Sequence, residues 1–144
     1  MSLKIAIGGD HAGFTYKTAL IDFLQKKGYE VKDFGPNSDA SVDYPDFAHP
    51  LSLAVENKEV DFGILICGSG NGVNITANKH QGIRSGLAWN TEVASLIRQH
   101  NNANIIALPA RFITLEVAKE CVEIFLTTDF AGGRHQTRVN KISC

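Results

Sequence analysis

Two rhythms of hydrophobic and polar positions take turns along the chain. Lys4-Ile5-Ala6-Ile7-Gly8 is a short β-type run that leads into Gly9-Asp10-His11-Ala12-Gly13. From about Phe14 the period lengthens, so that Leu20, Ile21, Phe23 and Leu24 share one helical face and Gly28 stands where a helix stops. Tyr29 to Phe34 alternates as a strand, and Gly35-Pro36-Asn37-Ser38-Asp39 reads as a loop. Asp43-Tyr44-Pro45-Asp46 has the form of a helix entry, with Pro45 in the first turn, and Phe47, Leu51, Ala54 and Val55 supply its apolar face. Phe62 to Ile66 is an uninterrupted apolar run, followed by a glycine-rich turn and a short helix to about Lys79. Ser85 to Trp89 is a fourth strand, and Thr91 caps a helix whose face is Val93, Ala94, Leu96 and Ile97, running out near His100. Asn104 to Leu108 is a fifth strand interrupted by Pro109, and Thr114 to about Thr127 is a long helix with Leu115, Ala118, Val122 and Phe125 inward.

This alternation predicts a single α/β domain over residues 1–144, a three-layer α/β/α Rossmann-like fold with a parallel sheet of about five strands and helices on both faces. Ligands of such folds sit at the carboxyl ends of the strands. Asp10 and His11 follow the first strand, Cys67 to Gly72 the third, and Arg111 the fifth. The tail, about 128–144, falls outside the pattern: Asp129 to Gly133 breaks the chain, and a helix after it would place Arg134, Arg138 and Lys141 on one face. Such a tail is expected to leave its own domain and reach a partner subunit.

Composition narrows the function classes. With 44% hydrophobic and 20% charged residues, the chain of 144 has the make-up of an ordinary globular protein. A formal net charge of −1 argues against a general nucleic-acid binder. No apolar run approaches the ~20 residues that cross a bilayer, and no charged-then-apolar leader is visible, so no membrane partner is expected. Cys67, Cys121 and Cys144 are odd in number and widely spaced, which suggests neither a disulfide framework nor a zinc site and points to a reducing, cytoplasmic setting. The five histidines show no metal-binding spacing, so no metal is expected.

The chemistry concentrates at Ile66-Cys67-Gly68-Ser69-Gly70-Asn71-Gly72. A glycine-rich turn from strand to helix presents backbone N–H groups to an anion, and a thiol beside such groups is more readily ionised, as nucleophile or as base. The glycines fall one residue short of the dinucleotide fingerprint, no Walker lysine follows, and Val73 and Asn74 stand where a cysteine phosphatase needs arginine. The turn therefore suits an oxyanion better than a nucleotide. Asp10 and His11 are expected beside Cys67, whereas His49 and His80 are read as surface residues without partners. Arg111, Arg134 and Arg138, with His135, can form a phosphate clamp, because the guanidinium fork matches phosphate oxygens. Together these groups suit a small anionic metabolite undergoing proton transfer.

Five stretches stand in a recognisable order: Gly8-Gly9-Asp10-His11-Ala12-Gly13-Phe14, Asp43-Tyr44-Pro45-Asp46, Ile66 to Gly72, Arg98-Gln99-His100-Asn101, and Gly132-Gly133-Arg134-His135-Gln136-Thr137-Arg138. Over essentially the whole chain they resemble the ribose-5-phosphate isomerase type B family, which includes the galactose-6-phosphate isomerase subunits. The resemblance implies an aldose–ketose isomerase of the pentose phosphate pathway that acts on a sugar phosphate through an enediolate, without metal or organic cofactor. It implies Cys67 as the base, Gly68, Ser69, Gly70, Asn71 and Gly72 around the enediolate, and His100 as the ring-opening acid. Asp10 would assist proton traffic, His11, Arg111, Arg134 and Arg138 would hold the phosphate with His135 beside them, and Tyr44 and Asn101 would line the pocket. It also implies a homodimer or tetramer whose sites lie between subunits. Many members carry threonine where Ser69 stands, which keeps the hydroxyl. Others use a glutamate base at the position of Val73, which leaves Cys67 as the only base in this turn.

Overall fold

The computed structural model describes residues 2–144. Five strands form one all-parallel sheet: β1 (Lys4–Gly9), β2 (Glu30–Asp33), β3 (Phe62–Cys67), β4 (Ser85–Leu87) and β5 (Ile105–Pro109), in the order β2-β1-β3-β5-β4. The helices are α1 (Phe14–Lys26), α2 (Pro45–Glu56), α3 (Asn71–Ala77), α4 (Thr91–Gln99), α5 (Leu115–Thr127) and α6 (Arg134–Asn140), and a short 3₁₀ turn, His11–Gly13, precedes α1. No helix among the described residues is long and apolar enough to cross a membrane.

Strand alternation explains the layers. Ile5, Ile7, Ile64, Ile66, Ile106 and Leu108 project to one face and pack with α1, α4 and α5 through Leu20, Leu24, Ala94, Ile97, Val122 and Phe125. Ala6, Leu65, Ile105 and Ala107 project to the other and meet α2 and α3 through Leu51, Val55, Val73 and Ala77. Both faces are thus buried, which is why the central strands read as continuous apolar runs. The second face is lined by small residues that let α2 lie close: a Cβ on Gly63 would come within 2.8 Å of Leu51 Cδ2.

Differences from the expected elements are local. The cap of α4 is Asn90, whose side chain accepts from the Val93 N–H, and Thr91 is already the first helical residue. Both are good capping types, and only the extended backbone of Asn90 decides between them. Pro109 does not interrupt β5 but closes it, at a last position where the missing N–H costs no ladder bond. Leu115 is half-buried rather than inward.

An ion pair between buried Lys17 and exposed Asp33 anchors the loop between β2 and α2. Lys17 of α1 is 2% exposed and places its ammonium 2.9 Å from each Asp33 carboxylate oxygen. Asp33 also accepts from the Gly35 N–H, and the Gly35 carbonyl accepts from the Gly9 N–H. Removing Asp33 strands the buried Lys17 ammonium without its counter-charge. Asp33→Ala is therefore expected to lower unfolding stability by about 3 kcal/mol in urea titrations, and a loss below about 1 kcal/mol would mean that the pair does not anchor this loop.

Candidate active site

The sheet reverses its winding between β1 and β3, and the crevice at their carboxyl ends is where ligands of such folds bind. Two glycines bring the strand ends together there. A Cβ on Gly9 would fall 1.9 Å from the Ile66 carbonyl oxygen and one on Gly13 2.4 Å from it, so only glycine permits this approach. The same carbonyl accepts from the Asp10 N–H at 3.1 Å, which fixes Asp10 next to the end of β3.

Cys67 ends β3, 4% exposed, at the foot of the crevice. The turn after it is shaped by Gly70, whose φ of +75° favours glycine and where a Cβ would run into Leu87 and the Leu108–Pro109 peptide. The first helical bond of α3 runs from the Asn74 N–H to the Gly70 carbonyl, which leaves the Gly72 and Val73 N–H groups without an intrahelical acceptor. Ser69 is exposed, and its oxygen accepts from the Asn71 N–H at 3.2 Å, which leaves its own O–H proton to donate. Cys67 and Gly68 accept through their carbonyls from the Ala110 and Arg111 N–H groups, tying the turn to the end of β5. The Arg111 side chain then lies across Gly68, 3.2 Å from where a Cβ would stand.

Asp10 is 8% exposed, and one carboxylate oxygen caps the turn by accepting from Ala12 and Gly13 at 3.0 and 3.2 Å. Its other oxygen has no such partner. His11 accepts at Nδ1 from the Val42 N–H at 3.2 Å, so in the neutral ring the proton sits on Nε2 as a donor. Tyr44, at the entry to α2, lays its ring over Gly72, where a Cβ would come within 2.7 Å. Asp10, His11, Tyr44, Cys67, Gly68, Ser69, Gly72 and Arg111 thus line one cleft of about 500 Å³, to which Phe112 adds an exposed apolar rim.

Gly70 and Asn71 shape the turn beside this cleft, and five other expected site residues, His100, Asn101, Arg134, His135 and Arg138, line a second hollow of about 430 Å³. The His100 and His135 rings stack 4.3 Å apart at an interplanar angle of 12°. Desolvation, then His100, Arg134 and Arg138, push the His135 pKa below its ordinary 6.5, which favours the neutral ring. This hollow lies at the opposite edge of the sheet. α4 leaves the carboxyl end of β4 and returns to the amino end of β5, so His100, just past α4, is separated from Cys67 by roughly 15 Å of strand. Arg111 lines the Cys67 cleft, as its place after β5 predicts, whereas Arg134 and Arg138 lie in the second hollow, so no phosphate clamp of all three assembles within one chain.

Two further features escape a sequence reading. His49 and His80 are not without partners: their ring nitrogens lie 2.7 Å apart, and His80 faces Glu56, outside both hollows. Arg98 and Lys17 are buried cations whose partners come from distant segments. Burial and Glu120 push the Cys121 thiol up to about 11, so it stays protonated and inert. Among the described residues, no three His, Cys, Asp or Glu side chains gather as metal ligands would.

Comparison with known proteins accounts for the whole chain. The family model described as Ribose/Galactose Isomerase matches residues 5–142. Ribose-5-phosphate isomerase B of Escherichia coli is 46% identical over 97% of this chain and 94% of that protein. The crystal structure of a ribose 5-phosphate isomerase from Thermotoga maritima superposes with a TM-score of 0.97 at 48% identity, covering 99% of each chain. Ribose-5-phosphate isomerase B of Mycoplasma genitalium with bound ribulose 5-phosphate gives a TM-score of 0.94 at 45% identity, covering 99% of this chain and 95% of that one.

The turn itself provides a first test. Gly70→Ala forces a left-handed backbone on a side chain that also meets Leu87, and is expected to cost about 2 kcal/mol of unfolding stability in denaturant titrations. A cost below about 0.5 kcal/mol would show that the turn is not held in this conformation.

Proposed function

The chain belongs to the ribose/galactose isomerase family, and from that membership we propose that it interconverts ribose 5-phosphate and ribulose 5-phosphate by proton transfer through an enediolate. The observation that carries the reading is the Cys67 thiol at the foot of a cleft, flanked by the glycine turn, the Ser69 hydroxyl and the uncommitted oxygen of Asp10.

In the open-chain aldose, the Cys67 thiolate takes the proton from C2. The electron pair moves into a C1–C2 double bond, and the carbonyl oxygen at C1 becomes an enediolate oxygen. The Ser69 O–H and the N–H groups of the Gly68–Gly72 turn donate to that developing charge, where fixed donors act most strongly. The proton returns from Cys67 to C1 while the C2 hydroxyl proton passes by way of Asp10 to the oxygen on C1, and the ketose forms with no net loss of atoms or electrons. Arg111 and the Nε2–H of His11 are the phosphate contacts on this side of the site.

Ring opening and the rest of the clamp come from a second copy. His100, Asn101, Arg134, His135 and Arg138 lie at the wrong edge of the sheet to serve the Cys67 of their own chain. We assign them to the cleft of a partner subunit, where His100 of the partner subunit protonates the ring oxygen and the partner's Arg134 and Arg138 complete the clamp. His100, held in its stack on His135, supplies the imidazole that general acid catalysis uses most often.

A positioned base contributes typically ~10²–10⁴-fold. Turnover of ribose 5-phosphate is expected in the purified protein, with Cys67→Ala reducing it about a thousandfold at unchanged thermal stability. A variant that keeps more than a few per cent of the activity would remove Cys67 as the base. A higher kcat/KM for allose 6-phosphate or galactose 6-phosphate would reassign the substrate.

A further inference from the structure

The hollow that carries His100 owes its shape to one buried side chain with no role in the chemistry above. Arg98 is 8% exposed although it sits in the last turn of a surface helix. Its guanidinium lies over the Phe62 ring at 5.1 Å and the Phe125 ring at 5.9 Å. It donates from Nε to the Thr128 carbonyl at 3.1 Å, and from Nη1 to the Asn102 side-chain oxygen at 3.0 Å and the Ala103 carbonyl at 2.6 Å.

Those acceptors belong to two different segments. Asn102 and Ala103 form the turn that ends α4 and presents His100 and Asn101. Thr128 is the residue at which α5 ends and the tail begins. The turn is tightly made: Asn102 holds φ +49°, its N–H donates to the Arg98 carbonyl, and the Ala103 N–H reaches the Ile97 carbonyl. Arg84 adds a second guanidinium, donating to the Asn101 and Asn102 carbonyls. The tail is then stitched on by the Ala131 N–H, which donates to the Gln99 carbonyl at 3.0 Å. From that bond to Arg134 is three residues, which brings His135 into its stack on His100.

We propose that Arg98 is the positioning residue of the second half-site: its fork locks the end of α4 to the start of the tail, and so sets His100 and the arginines of α6 in fixed register. The planar fork is what the task requires. It reaches three acceptors in two directions from a buried position, which the single ammonium of lysine does not reproduce. The assignment rests on the proposed roles of His100, Arg134 and Arg138, and it adds that those roles are held by a residue that touches no substrate.

Two variants test it without depending on the survival of either. Arg98→Lys keeps the charge and loses the fork. Asn102→Gly keeps the left-handed turn, which glycine accepts, and removes only the side-chain acceptor. Each is compared with the parent for kcat and KM on ribose 5-phosphate, for the rate of iodoacetamide alkylation of Cys67, and for the titration of His135 by NMR. In every variant that folds, kcat/KM is expected to fall at least tenfold through both a higher KM and a lower kcat. The Cys67 alkylation rate is expected to match the parent, and the depressed His135 titration to return toward its ordinary value as the stack loosens. A kcat/KM within twofold of the parent, or a loss accompanied by an unmoved His135, would overturn the assignment. His100→Ala and Arg138→Ala separate the two levels. If they keep full activity the functional reading falls, and the positioning role with it. If they lose activity while both test variants keep it, only the positioning role falls.

Discussion

Because all five strands run parallel, each connecting segment must carry the chain back from the carboxyl edge of the sheet to the amino edge before the next strand starts. Groups just after a strand and groups just after a helix therefore end at opposite edges. Asp10, Cys67, Ser69 and Arg111 follow strands and share a cleft. His100 follows a helix, and the tail follows another, so their cluster forms far from the thiol. No side-chain rotation closes that gap within one chain. The separation of the two clusters is thus a property of the sheet before it is a property of any residue.

Each half is built by a different physical device. At the carboxyl edge the device is close backbone approach: Gly9 and Gly13 crowd the Ile66 carbonyl, and the missing side chain of Gly68 lets Arg111 cross it. These contacts leave little freedom for Asp10 or Cys67 to drift apart. At the amino edge the work passes to one buried and one half-buried arginine. Arg98 and Arg84 gather the carbonyls that end α4, where positive charge also complements the helix dipole. The first half is set by sterics and the second by charged hydrogen bonds, so they should differ in sensitivity: a methyl group breaks the first, a lost fork the second.

Much of this is legible in the sequence because it is local. The change of rhythm at Phe14, the apolar run before Cys67 and the glycines after it each announce an element within a few residues, and strand-then-turn placement puts Asp10, Cys67 and Arg111 at one edge. The five motifs likewise resemble the family that the comparisons identify. What is not legible depends on partners far along the chain. Nothing in Arg98-Gln99-His100-Asn101 indicates that the arginine packs against both Phe62 and Phe125, residues that join only after the sheet and α5 have packed. The order β5-β4 at one side of the sheet, against chain order, is set by long-range packing rather than by either short strand. The His49–His80 contact joins α2 to the segment after α3 and has no local signal.

The claim that one site takes its groups from two chains is tested most directly by mixing two inactive proteins. Cys67→Ala and His100→Ala each spoil every site in their own homodimers. A mixed dimer has one site that lost both groups and one that keeps both. Unfolding and refolding the two variants together at equal concentration should restore about a quarter of parental activity, since half of randomly paired dimers are mixed and each holds one intact site. Activity that stays at the level of the separate variants, in a sample shown to contain mixed dimers, would contradict the shared site and return His100 to the surface of its own chain.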